Sequence, residues 1–171
     1  MSESDPQHDD EAPFLTANAD ETERLRIPPR DVILAIDIGG TKFAAGLVTV
    51  KGELIDRARV EVERNVVPEA HYTSLAGMVT ELMERARNQH HVRIRAVGVG
   101  AAGPVARNLE TVSPVNIPAW RGFPLRARLQ DTTRLRVYGD LDAKALALAE
   151  GWLGAAQGHQ NFCALTVSTG V

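Results

Sequence analysis

The sequence predicts an α/β fold in which helices cover the faces of a mixed β-sheet. Two apolar runs, Val32 to Ile36 and Phe43 to Val48, flank a glycine turn and have the composition of buried strands. Apolar residues then recur at the spacing of one helical face between Leu75 and Ala86, and further strand-like runs alternate with helical segments. A meander followed by such an alternation is typical of a mixed sheet with helices packed on it.

The first three strands are predicted to form a meander. Val50-Lys51-Gly52 turns the chain after the second strand, and residues 53–62 then alternate apolar and polar side chains. This alternation is typical of a partly exposed antiparallel strand. The residues expected on its inward register are Leu54, Asp56, Ala58, Val60 and Val62.

The remaining elements are predicted in the order helix, strand, helix, strand, helix, strand. Pro68 suits the first turn of the first helix. The later strands are predicted at 92–100, 135–138 and 162–167, and the later helices at 125–129 and 143–153. The whole order is βββαβαβαβ, in which the first five strands, βββαβαβ, are expected to form one mixed five-stranded sheet.

Composition and charge exclude several classes of function. The 171 residues are 44% hydrophobic and 24% charged, a composition that fits one globular domain. The formal net charge of -3 argues against the basic surface expected of a nucleic-acid-binding protein. The chain contains no apolar stretch near the ~20 residues that span a bilayer, and no basic-then-apolar signal at its amino terminus. We therefore expect a cytoplasmic protein with no nucleic-acid or membrane partner.

Cysteine and histidine offer no obvious metal site. The single cysteine, Cys163, excludes an internal disulfide and a thiolate cluster. The five histidines have no ligand spacing, and His90-His91 is expected to be a solvated pair at a helix end, favoured by the helix dipole.

Residues 1–30 differ from the rest of the chain. They are rich in Asp and Glu, poor in aliphatic residues, and end in Ile27-Pro28-Pro29-Arg30. This composition predicts a mostly disordered acidic tail, with residues 31–171 as the folded part. A docking segment is the alternative interpretation.

The stretch DIGGTK joins two strands, and each of its polar groups suits a nucleotide. The backbone N–H groups of Gly39 and Gly40 can approach a phosphate, Thr41 adds a hydroxyl donor, and Lys42 adds a positive charge. Asp37 can hold water around a Mg²⁺ ion. A Walker A loop and a dinucleotide fingerprint both lead into a helix, so neither describes this stretch. Taken alone, DIGGTK is equally consistent with an ordinary Gly-Gly hairpin.

Two further stretches lie at the ends of predicted strands. GVGAAGPV, from Gly98 to Val105, is a second glycine turn, and the loop after it is stiffened by prolines and carries Asn116 and Trp120. Such a loop can hold a small ligand, or it can be a surface crossover whose aromatic residues only plug the domain. In GDLDAKALALAE a strand runs into a helix, where Asp142 has the position of an N-cap.

In this order the stretches resemble the ROK family (repressors, uncharacterised reading frames and sugar kinases), which has the actin-like ATPase fold. DIGGTK resembles the family's first phosphate-binding turn, GVGAAGPV its second glycine turn, SPVNIPAWRGFPL its sugar-contacting loop and DAKALALAEGWLGAA its catalytic-aspartate helix. The resemblance spans about Val32 to Val171. It implies the amino-terminal, ribonuclease H-like lobe of that fold.

The resemblance also implies a reaction, namely the ATP-dependent, glucokinase-like phosphorylation of a hexose or hexose derivative. Asp142 would take the proton from a sugar hydroxyl as that hydroxyl attacks the γ-phosphoryl group of ATP. The implied binding residues are Asp37, Gly39, Gly40, Thr41 and Lys42 for the ATP phosphates and Mg²⁺, and Gly103, Asn116 and Asp142 for the sugar.

The chain departs from the family beside the implied base. The family usually reads Asn-Asp-Ala-Asn there, whereas this chain reads Leu141-Asp142-Ala143-Lys144. The first amide normally helps to hold the sugar, so Leu141 leaves the identity of the sugar open, and Asp140 could substitute for the amide. A non-catalytic sugar-sensing protein or interaction module is therefore the alternative function. A ROK-type repressor would need a winged helix-turn-helix before DIGGTK, which the acidic tail cannot form.

The last residues, VSTGV, resemble the first half of the family's other phosphate turn. We therefore expect this chain to be the amino-terminal lobe of a longer two-lobed protein that forms a homo-oligomer, a dimer, at full length. The adenosine pocket would lie beyond Val171, as would the structural zinc that His and Cys residues hold in many relatives.

Overall fold

The sheet has five strands, as predicted. The structure is a computed structural model that describes residues 31–63 and 66–165, so the predicted acidic tail lies outside the described residues. The strands are β1 (Asp31–Ile38), β2 (Lys42–Thr49), β3 (Leu54–Glu61), β4 (Arg93–Ala101) and β5 (Val137–Leu141).

In the described part of the chain, three α-helices and one 3-10 turn accompany the strands. They are α1 (Pro68–Asn88), the 3-10 turn Arg107–Leu109, α2 (Leu125–Thr133) and α3 (Asp142–Leu153). Pro68 is the first residue of α1, as expected for a residue whose missing N–H would have no helical partner. Because α2 runs on to Thr133, β5 begins at Val137 and not at 135 as predicted.

The strand order is β3-β2-β1-β4-β5. β1 pairs with β2, and β2 with β3, in antiparallel ladders, whereas β4 pairs in parallel with both β1 and β5. The registers align Ile38 with Ala101, and Ala101 with Leu141. The carboxyl ends of β1, β4 and β5 therefore meet at one edge of the sheet, where the segments after them also meet.

The core lies between one face of the sheet and α1 with α2. Leu75, Val79 and Leu82 of α1 are fully buried against it, which confirms the predicted helical stripe. The alternating residues Leu34 and Ile38 of β1 are fully buried on the same side of the strand. Val97 and Ala101 of β4 are fully buried on this face as well, whereas Gly100 of β4 lies on the opposite face, next to Asp142 and Ala145 of α3.

The predicted strand at 162–167 is wrong over its described part. Residues 162–165 have no regular secondary structure, and residues 166 and 167 lie outside the described residues. Phe162 and Leu165 are exposed, and the segment joins none of the five paired strands. An apolar composition is not sufficient for a strand without a partner for its backbone N–H and C=O groups.

Leu54 does not lie on the predicted inward register of β3. Val48 pairs with Leu54 and Leu47 with Asp56, so Ile55 forms a β-bulge. The bulge brings Ile55 into contact with the core and leaves Leu54 54% exposed.

A charged cluster fixes the end of α1 to β3. Arg85 donates from Nε to Asp56 Oδ2 (2.9 Å) and from Nη2 to Asp56 Oδ1 (3.1 Å) and to the carbonyl oxygen of Arg57 (3.0 Å). His90 Nε2 lies 2.9 Å from Asp56 Oδ2. The expectation of a solvated His90 is therefore wrong, because a carboxylate from a distant strand lies beside it. The hydrogen bonds from Arg85 lower the pKa of Asp56 to about 2, against the opposing effect of its partial burial.

We expect Asp56→Asn to lower the free energy of unfolding at pH 7 by about 1 to 2 kcal/mol, allowing for solvent screening of the partly exposed pair. The folded-state pKa lies below the ordinary 3.8, so this stabilisation is present above pH 3.8 and is lost as the pH falls towards about 2. Urea titrations of both proteins at several pH values measure the difference. If the difference in unfolding free energy between the two proteins stayed constant as the pH fell to about 2, the ion pair would not be the source of the stabilisation.

Two glycines allow a matched test of backbone conformation. A methyl group at Gly77 in α1 or at Gly122 would contact no other side chain, but Gly122 has a φ of +67°. Gly77→Ala should raise the free energy of unfolding by about 0.5 to 1 kcal/mol, because alanine loses less backbone freedom in a helix. Gly122→Ala should lower it by about 1 kcal/mol, the cost of a left-handed conformation for an L residue. Chemical denaturation measures the free energy of unfolding of both variants. Changes of the same sign would contradict the backbone conformations described for these two glycines.

Candidate functional site

The candidate site lies at the sheet edge where β1, β4 and β5 end. In register, Asp37 of β1 pairs with Gly100 of β4, and Gly100 pairs with Asp140 of β5. Register partners project to the same face, so this row faces α3. The backbone N–H of Ala102 donates to the carbonyl oxygen of Ile38 (3.0 Å), which joins the second glycine turn to the end of β1.

The first glycine turn is closed by its own backbone. Gly39 N–H donates to the carbonyl oxygen of Lys42 (3.2 Å), and Val62 N–H donates to that of Thr41 (2.9 Å). The side chains of Thr41 and Lys42 are exposed. The turn thus presents a hydroxyl and an ammonium group to solvent at the end of β1, next to Asp37.

The proline loop is held by the second glycine turn. Ser113 N–H donates to the carbonyl oxygen of Pro104 (2.8 Å), and Val115 N–H donates to that of Gly103 (3.2 Å). These bonds keep Asn116 beside the sheet edge with its side chain exposed.

The aromatic residues of the loop plug the core, as the alternative interpretation of this segment held. Trp120 is fully buried and stacks between Phe43 (centroids 5.3 Å apart) and Phe123 (4.6 Å). Its Nε1 donates to the carbonyl oxygen of Pro68 (3.1 Å). The loop therefore combines a buried anchor at Trp120 with an exposed amide at Asn116.

Gly40 and Asn116 are in direct contact. A Cβ atom built on Gly40 would lie 2.3 Å from Asn116 Cβ and 2.9 Å from Asn116 Nδ2. The residues predicted to bind phosphate and the residue predicted to bind sugar therefore adjoin one another.

Asp142 is the first residue of α3, and not its N-cap as predicted. Leu141 occupies the cap position, and Asp142 Oδ1 accepts a hydrogen bond from the N–H of Ala143 (2.7 Å). A Cβ built on Gly100 would lie 3.5 Å from Asp142 Cα and 3.4 Å from Ala145 Cβ. The start of α3 thus packs beside β4 at Gly100, at distances that would be ordinary contacts for a methyl group there.

The carboxylate of Asp142 acts electrostatically on Asp37. Partial burial raises the pKa of Asp37, and the neighbouring carboxylate of Asp142 raises it further, while Lys42 opposes both effects. Two carboxylates sharing one edge form a negative site that suits a hard cation. Among the described residues, no group of three or more His, Cys, Asp or Glu side chains forms a metal cluster.

Asp140 has a different environment from Asp142. Its two oxygens both lie 3.0 Å from Lys144 Nζ, and Oδ1 accepts from the N–H of Leu141 (2.8 Å). The Leu141 hydrogen bond and then Lys144 lower the pKa of Asp140. Lys144 in the first turn of α3 thus pairs with Asp140 of β5, four residues earlier in the sequence.

Leu141 lies over the second glycine turn, since its Cδ1 would be 2.8 Å from a Cβ built on Gly103. Neither this contact nor the packing of Gly100 beside Asp142 was predicted from the sequence, although both glycines belong to the second glycine turn. The structure brings all of the predicted site residues to this one sheet edge.

Within residues 31–63 and 66–165, no helix has the length and hydropathy needed to cross a membrane.

Comparisons with known proteins agree with this geometry. The chain is 37% identical over 138 residues to a glucokinase of Streptomyces coelicolor, covering 81% of this chain and 41% of the relative. It is 36% identical over 138 residues to an N-acetylmannosamine kinase of Escherichia fergusonii, covering 81% of this chain and 45% of the relative. The chain thus spans less than half the length of these relatives.

Solved structures show the same fold. A ROK family glucokinase from Streptomyces griseus, in complex with glucose and AMPPNP, has a TM-score of 0.64 at 34% identity, over 75% of this chain and 38% of that chain. A ROK hexokinase from Thermus thermophilus has a TM-score of 0.63 at 37% identity, over 74% and 40% of the two chains. The expected lobe of the actin-like ATPase fold is confirmed. The ROK family model matches residues 33–171, and the chain therefore belongs to the ROK family.

Proposed function

We propose that this chain forms the sugar-binding and first phosphate-binding lobe of an ATP-dependent kinase for a hexose or hexose derivative. The observation that carries the proposal is the convergence of Asp37, the first glycine turn, Asn116 and Asp142 at one sheet edge. Relatives named glucokinase and N-acetylmannosamine kinase support a sugar as the acceptor.

Asp142 is the proposed general base. Its carboxylate is exposed at the start of α3, where the backbone of the helix packs next to Gly100 of β4. It would accept the proton of a sugar hydroxyl while the oxygen forms a bond to the γ-phosphorus of ATP and the bond from that phosphorus to the bridging oxygen of ADP breaks. Asp140 is a weaker candidate because Lys144 contacts both of its oxygens.

The first glycine turn is the proposed phosphate site. The backbone at Gly39 and Gly40 can approach phosphate oxygens, Thr41 can donate to them, and Lys42 adds positive charge. Asp37 fits a Mg²⁺ ion, since its carboxylate lies near that of Asp142 and Mg²⁺ favours one or two carboxylates together with waters and phosphates. When bound, Mg²⁺ would neutralise charge on the phosphates.

The proposed acceptor site lies between Asn116 and Asp142. Asn116 offers an exposed amide that can both donate to and accept from sugar hydroxyls. Gly103 forms the floor of the site under Leu141. Leu141 lines the proposed site with an apolar side chain at a position where the family usually has an amide. A sugar hydroxyl that would bind that amide in other family members therefore lacks this partner here.

A second candidate function is sugar binding without phosphoryl transfer. It is favoured by Leu141 and Lys144, which replace both flanking amides, and by the pairing of Lys144 with Asp140. The two functions differ in what Asp142 does, so one pair of variants distinguishes them.

We further propose that the complete protein is a two-lobed, cytoplasmic homodimer. This proposal rests on the resemblance to the family, in which the adenosine pocket and the structural zinc belong to the other lobe. Light scattering and metal analysis of the full-length protein test it.

We expect Asp142→Asn in the full-length protein to reduce turnover on the order of 10²-fold or more, the usual scale for loss of a general base. Asparagine retains an oxygen for the N–H of Ala143, so the melting temperature and the sugar affinity should change little. Coupled-enzyme assays with ATP and either glucose or N-acetylmannosamine measure turnover, and titration calorimetry measures affinity.

Asp140→Asn is the matched control, two positions earlier and with the same chemical change. It breaks an exposed ion pair with Lys144, which contributes little to stability because solvent screens it, and should reduce turnover far less. Loss of turnover in Asp140→Asn with normal turnover in Asp142→Asn would transfer the role of base to Asp140. Full turnover in both variants would refute a carboxylate base here, and sugar binding without turnover by the unmutated protein would favour the second candidate function.

A further inference from the structure

Gly40 has no room for a side chain, and the obstacle is Asn116. The nearest atom to a Cβ built on Gly40 is Asn116 Cβ at 2.3 Å, followed by Nδ2 at 2.9 Å and Cγ at 3.0 Å. The position of a Cβ atom is set by its backbone and not by its rotamer. Rotation about χ1 of Asn116 therefore cannot relieve the clash.

The backbone on both sides of Asn116 is anchored. Val115 N–H donates to the carbonyl oxygen of Gly103 (3.2 Å), and Ile117 N–H donates to that of Pro114 (3.0 Å). Ile117 is 1% exposed, and Trp120 after it is fully buried. The loop can move away from Gly40 only by breaking these contacts.

The first glycine turn is anchored equally well. Gly39 N–H donates to the carbonyl oxygen of Lys42, and that of Thr41 accepts from Val62 N–H. Moving the glycine turn or the proline loop would break these hydrogen bonds. The two segments can therefore lie this close together only because residue 40 has no side chain.

Gly39 has a different constraint. A Cβ built on it would lie 3.0 Å from the carbonyl oxygen of Lys42, within the same turn. Gly39 therefore serves the turn itself, whereas Gly40 serves the contact between the turn and the proline loop.

We propose that Gly40 is a positioning residue for the sugar site, because it sets where the Asn116 amide lies. This inference rests on the proposed function, in which Asn116 contacts the sugar. A glycine of the phosphate turn then determines sugar affinity even in the absence of nucleotide.

The test uses the full-length protein and the sugar that it phosphorylates, glucose or N-acetylmannosamine. Gly40→Ala should weaken nucleotide-free sugar binding by at least about tenfold, the effect of losing one well-placed hydrogen bond to a hydroxyl. It should also lower the melting temperature. Titration calorimetry without ATP and thermal unfolding measure the two effects.

The double variant Gly40→Ala/Asn116→Gly removes the opposing Cβ atom. It should recover the melting temperature of Asn116→Gly alone, while sugar affinity stays low because the amide is absent. Recovery of stability on removal of the Asn116 side chain is not expected if Gly40→Ala disturbs folding through another contact.

Two controls complete the design. Gly39→Ala should raise the KM for ATP and leave nucleotide-free sugar affinity within about threefold, which is below 1 kcal/mol. Gly77→Ala, in α1, should alter neither.

Unchanged sugar affinity in a folded Gly40→Ala protein would overturn the inference and leave the glycine a role in phosphate binding alone. If Gly40→Ala does not fold, recovery of folding in the double variant supports the inference, and failure of the double variant overturns it. Absence of sugar binding by the unmutated protein is a separate result, which would overturn the proposed function.

Discussion

The parallel pairing of β4 with both β1 and β5 is the constraint on which the candidate site depends. It aligns Ile38, Ala101 and Leu141, so the segments that follow these strands begin at one edge of the sheet. The pairing also sets which face each side chain takes. A shift of one residue would turn Asp37 towards the core and away from α3, because side chains alternate along a strand. The hydrophobic residues of β1 on the core face oppose such a shift, so burial of Leu34 and Ile38 indirectly orients a carboxylate on the opposite face.

Within that edge, close backbone approach brings the parts of the site together. At Gly40 the turn approaches Asn116 so closely that a Cβ atom would clash with the Asn116 Cβ atom. Gly103 lies under the side chain of Leu141, and Gly100 packs next to the start of α3 at ordinary contact distance. The segments that carry the polar groups of the site are therefore in direct contact with one another. This arrangement is stiff, because hydrogen bonds such as that from Ala102 to Ile38 join the same segments.

Much of the fold could be predicted because local patterns determine it. The apolar runs of β1 and β2 and the helical stripe of α1 are read from spacing alone. Errors arose where a distant contact decides the outcome: the bulge at Ile55 exposes Leu54, and Asp56 on β3 pairs with His90, which follows α1. The site residues came from a resemblance to a family and from glycine-rich turns. The contact of Gly40 with Asn116 could not be predicted, because it depends on the path of the proline loop between buried aromatic rings.

The cluster at the end of α1 has a consequence for how the molecule behaves among its own copies. β3 is the outermost strand beside β2, and an outer strand can recruit a strand from another molecule. Arg85 Nη2 donates to the carbonyl oxygen of Arg57 in this strand, and the bulge at Ile55 interrupts its regular geometry. A strand added there would have to displace a guanidinium group already bound to Asp56. The contacts that fix α1 to the sheet thereby also make β3 a poor template for aggregation.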